Sequence, residues 1–192
     1  MPRFFVLNIL PASLIIGFYW AAFALVSYVF FPLQNYVAPD VAPFASLAFL
    51  PHGVRVIATW LYREKALIPL LLAHLILYRL FYWHGDSAAS NMVAVLSGTF
   101  CCSLAYQLFD FSRIDISLDN VDISHWRSLI FMGFVASIFN TSGNMLALGH
   151  AMGNELHLSV IMTFIIGDTL GVLICLLILM LGFRLYRLKQ TY

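Results

Sequence analysis

The sequence predicts an all-α fold: a polytopic transmembrane helical bundle of six transmembrane helices, forming a single integral membrane domain over residues 1–192. Three observations predict it. Hydrophobic residues make up 62% of the chain and charged residues only 10%, against about 45–50% and about 25% in soluble domains. The apolar residues fall into continuous runs near the roughly 20 residues that a helix needs to cross about 30 Å of hydrocarbon. Lysine and arginine gather on alternate sides of those runs. The same composition excludes a soluble globular domain and a disordered chain, and a net charge of +1 without a basic patch excludes nucleic-acid binding. An outer-membrane barrel would alternate in polarity along each segment. These runs do not.

The first run, 11–31, follows Arg3 and contains the small-x-small triplet Ala22-Phe23-Ala24. Apolar residues continue to Phe31, past the point where the h-region of a signal peptide ends, so an uncleaved helix is expected. Pro32, Pro39 and Pro43 punctuate the first loop. The second run, 44–62, and the third, 66–83, flank Arg63-Glu64-Lys65. His84-Gly85-Asp86-Ser87 precedes the fourth run, 92–111. A polar stretch from Arg113 to Asp122 precedes the fifth, 128–149, and Gly153-Asn154-Glu155 the sixth, 158–183. With the N-terminus inside, the inner side holds Arg3, Arg63, Lys65, Arg113, Arg127, Arg184, Arg187 and Lys189, and the outer loops hold no lysine or arginine. Positive residues stay cytoplasmic, so both termini are expected there. Tyr and Trp near the predicted helix ends suit an interfacial belt, densest at Tyr78-Arg79-Leu80-Phe81-Tyr82-Trp83.

Polar residues at membrane depth are expensive and therefore informative. An Arg, Lys or Asp at a helix centre costs about 2.5–3.5 kcal/mol on insertion scales. Counting from the helix ends at 1.5 Å per residue, Arg55 lies about 16 Å deep, His52 about 12 Å, His74 and Asn140 about 14 Å, and Asp168 about 15 Å. Asn144 adds an amide one turn from Asn140. These residues are expected to share one layer, with Arg55 and Asp168 paired and His74, Asn140 and Asn144 bonded around them. Such a layer is either a knot that fixes helix packing or a site for a polar ligand, ion or proton.

Pro51-His52-Gly53 is expected to break the second helix a third of the way along, and broken helices often line cavities. Gly167 and Gly171, like Gly143 and Ala147, have the four-residue spacing of close-packed helix seams. Asn140-Thr141-Ser142 is a formal glycosylation sequon, placed too deep to be used. His74 with His52 is the only pair of imidazoles that could flank a tetrapyrrole, and no haem-attachment motif is present. Cys101, Cys102 and Cys175 lie in apolar runs without metal-ligand spacing, so they are expected to pack as small hydrophobes. No metal, cofactor or catalytic residue is expected, and no enzyme activity.

Phe49-Leu50-Pro51-His52-Gly53-Val54 resembles the aromatic-x-Pro-x-Gly segment that opens the second helix of MASE1 domains. Gly167-Asp168-Thr169-Leu170-Gly171-Val172 is similar to the Gly-Asp-x-x-Gly signature of a late helix in that family. MASE1 domains are integral-membrane sensory modules of bacterial signalling proteins. The resemblance implies a multi-pass protein of the bacterial inner membrane that serves signal transduction. With no output domain following the last run, it implies a stand-alone sensory or ligand-binding module acting through a partner protein. A small transporter or channel subunit, and an accessory subunit of a larger membrane complex, remain as alternatives. The expected partners are the lipid bilayer, a membrane or signalling protein, and a small polar or anionic ligand entering the bundle.

Overall fold

The computed structural model describes residues 9–37, 46–82, 88–114, 116, 125–148 and 158–190. Arg3, Pro39, Pro43, Trp83, the two predicted loops 84–87 and 153–155, and the acidic residues Asp115, Asp119 and Asp122 lie outside them. The described residues form helices α1 (Ile9–Leu25), α2 (Phe31–Val37), α3 (Leu50–Tyr62), α4 (Leu67–Leu77), α5 (Ala88–Phe111), α6 (His125–Leu148) and α7 (Leu158–Gln190), with no strand among them. A π turn, Val26–Phe30, joins α1 to α2 in one continuous helix. Pro32 therefore sits inside this continuous helix instead of in a loop, directly after the π turn, and its missing N–H leaves one helical hydrogen bond unmade there.

Among the described residues, four helices are long and apolar enough to cross a membrane: Ile9–Tyr36, Ala89–Phe111, Trp126–Ala147 and Leu158–Gln190. The six expected spans of that length are not found among the described residues. The second predicted run begins its helix only at Leu50, giving α3 13 residues, or about 20 Å. Residues Ser46 to Phe49 are non-helical. Arg63 adopts φ 51°, and the 3₁₀ turn Arg63–Ala66 folds the chain back into α4. The two arms form a helical hairpin in which Arg55 and His74 reach the same glycine, Gly98 of α5.

α3 is the centre of the bundle. It packs against α1, α5, α6 and α7, and eight of its residues are buried, including Pro51, His52, Gly53 and Arg55. Pro51 occupies the first turn of α3, where an N–H would have no intrahelical partner. The expected break in mid-helix is thus a helix start.

Two apolar clusters flank this helix. Ile15, Ala58, Leu70, Ala73 and Leu77 join α1, α3 and α4. Val56, Cys101, Cys102, Phe109, Met132 and Val172 join α3, α5, α6 and α7. Outward, Leu104, Phe131, Ile166, Leu177, Met180 and Phe183 are exposed, as befits surfaces solvated by lipid.

The Gly167–Gly171 face of α7 receives backbone, not another regular helix face. Phe49 N–H donates to the Gly167 carbonyl at 2.9 Å. A Cβ on Gly167 would run into the Ser46 carbonyl, and one on Gly171 into the Phe49 carbonyl. Gly53 completes the seam, within 2.6 Å of the Gly171 carbonyl at its missing Cβ. The second small-residue seam joins α5 and α6, where Gly143 lies against Ser97.

Candidate functional site

The first turns of α3 place His52 and Arg55 between α5, α6 and α7. Both are buried, His52 at 0% exposure and Arg55 at 1%. Arg55 Nη1 donates to the Gly98 carbonyl at 2.8 Å and to Asn140 Oδ1 at 3.4 Å. Asn140 Nδ2 in turn donates to Asp168 Oδ2 at 2.8 Å. Arg55 Nη2 stands 4.0 Å from Asp168 Oδ1, the outer limit of an ion pair. Asn140 therefore bridges a cation and an anion that barely touch. Asn144 Nδ2 donates to the Asn140 carbonyl at 2.9 Å and to its Oδ1 at 3.1 Å, which orients the bridging amide.

His52 contributes from the other side of the carboxylate. Its Nε2 lies 3.0 Å from the Gly133 carbonyl. A carbonyl only accepts, so Nε2 carries the hydrogen. Nδ1 then faces Asp168 Oδ2 at 3.5 Å and has no hydrogen bond among the described residues.

His74 stands apart from the pair it was expected to join. Its Nδ1 donates to the Leu70 carbonyl at 2.8 Å, and its Nε2 accepts from Tyr19 OH at 2.8 Å. Thr99 Oγ1, itself donating to Val95, approaches Nδ1 at 3.4 Å. Both ring nitrogens are engaged, which leaves none to ligate a tetrapyrrole. Tyr19→Phe is expected to cost about 1 kcal/mol by removing one buried hydrogen bond, measured by unfolding of the purified protein in detergent.

A cavity of about 350 Å³ opens over this layer. Arg55, His74, Asn140, Asn144 and Asp168 form its polar part, and Tyr19, Phe49 and Phe164 are among its aromatic walls. The Arg55 guanidinium lies 5.6 Å from the Phe49 ring centroid. Arg55 Nε and Nη2 and Asp168 Oδ1 are buried without a hydrogen-bond partner among the described residues. The lining reaches Asn91 in the first turn of α5. A second cavity, about 580 Å³, lies at the hairpin tip, lined by Thr59, Arg63, Lys65, Tyr106 and Asp110 among others.

Of the residues singled out by sequence, Arg55, Asn140, Asn144, Asp168 and His74 share one cavity, and His52 lies beside the carboxylate without a hydrogen bond to it. Pro51, Gly53, Gly167 and Gly171 position them by seating α3 on α7. Tyr19, Gly98, Thr99 and Gly133 complete the layer and were not singled out. Tyr19 reads as an interfacial ring, and a backbone carbonyl leaves no mark in a sequence.

A helical bundle with an apolar exterior, a charged cluster buried within it and, among the described residues, four helices long and apolar enough to cross a membrane has the character of a polytopic membrane protein. No protein family, curated protein or solved structure matches the chain.

Proposed function

We propose that this chain is a MASE1-like sensory or ligand-binding module of the bacterial inner membrane, which takes up a small polar or anionic ligand and acts through a partner protein. The observation that carries this reading is the Arg55 guanidinium beside a cavity of about 350 Å³: among the described residues its Nε and Nη2 have no hydrogen-bond partner, and Nη2 reaches Asp168 only at the 4.0 Å limit of an ion pair. A buried donor without a partner loses its hydration without compensation. A ligand carboxylate would supply acceptors for both nitrogens. It would also compete with Asp168 for Arg55, so binding shifts α3 relative to α7 only as far as the two arrangements differ in ligand affinity.

α7 offers a route outward. At 33 residues it is about 50 Å long, well beyond the hydrocarbon thickness. Its last turns carry Arg184, Arg187 and Lys189 and are exposed. The Gly167–Gly171 face, by contrast, is covered by residues 46–50 and is not the surface offered to a partner.

The topology in this reading has six crossings and both termini in the cytoplasm, with the hairpin arms α3 and α4 as two short crossings. Support comes from the hairpin tip, where Arg63 lies 5.7 Å from the Tyr106 ring near the C-terminal end of α5. The tip therefore reaches the level where a full-length span ends. Reporter fusions after Asp86 and Glu155 should report the periplasm, and fusions after Lys65 and Asp119 the cytoplasm. A periplasmic signal at Lys65 rejects the six-crossing topology.

The binding experiment is thermal unfolding of the purified protein against a panel of small carboxylates and other metabolites. A ligand present at about 100 times its Kd stabilises by about 2.7 kcal/mol, enough to move the melting temperature by several degrees. Asn144→Ala should weaken the response while the Arg55–Asn140–Asp168 chain remains. If lipids alone stabilise the wild type, the accessory-subunit alternative replaces this reading. A transporter is favoured by one observation: the two cavities lie toward opposite ends of α3. Uptake of the stabilising ligand into proteoliposomes would establish that alternative.

A further inference from the structure

Cys101 and Cys102 were expected to be packing residues, but folding brings them to a histidine. Their sulfurs lie 3.8 Å apart. A ring nitrogen of His52 lies with them in one group whose ligand atoms are all within 4.8 Å of one another, and all three residues are buried. From this geometry we propose that His52, Cys101 and Cys102 form a binding site for a divalent, thiolate-preferring metal ion of the zinc class.

Three observations support the site. Two thiolates about 2.3 Å from one tetrahedral ion lie about 3.8 Å apart, which is the separation found. His52 is already held as metal-bound histidines are: its Nε2–H donates to the Gly133 carbonyl at 3.0 Å, which fixes the tautomer and leaves the Nδ1 lone pair to ligate. That Nδ1 is fully buried and lacks a hydrogen bond among the described residues.

Charge selects a divalent ion. Binding displaces the two thiol protons, and the two thiolates balance M²⁺. Arg55 and Asp168 balance each other, so the loaded layer is neutral. A monovalent ion held by both thiolates would leave one negative charge in a low-dielectric interior, which is unfavourable. Three protein ligands leave a fourth position for water or for Asp168 Oδ2, which lies 3.5 Å from His52 Nδ1. The site lies next to the cavity: Gly98 lines it, and the Gly98 carbonyl accepts from both Arg55 Nη1 and the Cys101 thiol.

The test is Co(II) titration of the purified, reduced, full-length protein in nanodiscs, followed by displacement with Zn(II). Expected are thiolate-to-cobalt charge-transfer bands that saturate at one equivalent and vanish on adding Zn(II). Loss of an outer-shell partner already weakens metal sites by about 10–100-fold, so Cys101→Ser and Cys102→Ser should each weaken Zn(II) by more than about 100-fold. Cys175→Ser should leave binding unchanged, since that thiol lies against the Leu50 carbonyl instead. Zinc should also protect Cys101 and Cys102 of the wild type, but not Cys175, from alkylation. Folded wild-type protein that develops no charge-transfer bands overturns the site. So do bands that persist in a folded Cys101→Ser/Cys102→Ser double variant.

Discussion

Asp168→Asn is expected to remove most of the folded protein. The carboxylate is 1% exposed and is the acceptor for Asn140. It is also the only carboxylate within ion-pair distance of Arg55 among the described residues. With an amide in its place, Arg55 keeps its positive charge, its Gly98 bond and no counter-ion. Removing one partner of a buried pair costs about 3–5 kcal/mol, against a total stability of about 5–15 kcal/mol for a typical domain. Arg55→Gln alone should be comparably damaging, because it strands the carboxylate. Combining Arg55→Gln with Asp168→Asn removes both charges and leaves groups that can hydrogen-bond through Asn140. The double variant should therefore recover much of the monodisperse protein, read by fluorescence-detected size exclusion. If the double variant is as poor as the two losses added together, the layer does not act as a charge pair.

Gly167→Ala and Gly171→Ala should be nearly as disruptive, for a different reason. The added methyl would meet the Ser46 carbonyl in the first case and the Phe49 carbonyl in the second. Both obstacles are backbone, so neither can swing aside like a side chain. Overpacking of this kind costs about 1–3 kcal/mol and sometimes more. Here it also pushes the start of α3, with His52 and Arg55, away from Asp168. Gly17→Ala and Gly182→Ala provide the contrast, since a Cβ there meets nothing within 4 Å. Each should leave stability unchanged or raise it by up to about 1 kcal/mol, because alanine favours a helix interior over glycine. Equal losses at all four glycines, measured by thermal unfolding, would rule out the seam as the cause.

The polar layer was legible in the sequence because lipid makes it so. A group such as Arg55 or Asp168 at mid-depth needs a partner, and residue counts along each helix place the candidates at similar depths. Asn140 and Asn144 were legible for the same reason, being one turn apart on one helix. The manner of their meeting was not. Asn140 as bridge between Arg55 and Asp168 depends on how far α3 stands from α7, which Gly53, Gly167 and Gly171 set. His74 lies at the expected depth but turns to Tyr19 and Leu70. Depth follows from counting residues, whereas direction follows from how each helix is rotated in the bundle.

By itself the sequence determined the class of protein and the lengths of its apolar segments, because helix rise and hydrocarbon thickness relate residue number to span. It also determined which side chains could not face lipid. Only the tertiary structure decided that Ser46 to Phe49 are non-helical and that the second run becomes a short, enclosed helix only at Leu50. It alone turned the glycine pair of α7 into a seat for that backbone. It alone brought His52 to Cys101 and Cys102, residues about 50 positions away on another helix. Periodicity and hydropathy describe each helix against its solvent. Contacts between side chains far apart in the chain arise only when helices exclude that solvent from one another, and the close approach allowed by small residues sets which groups then meet.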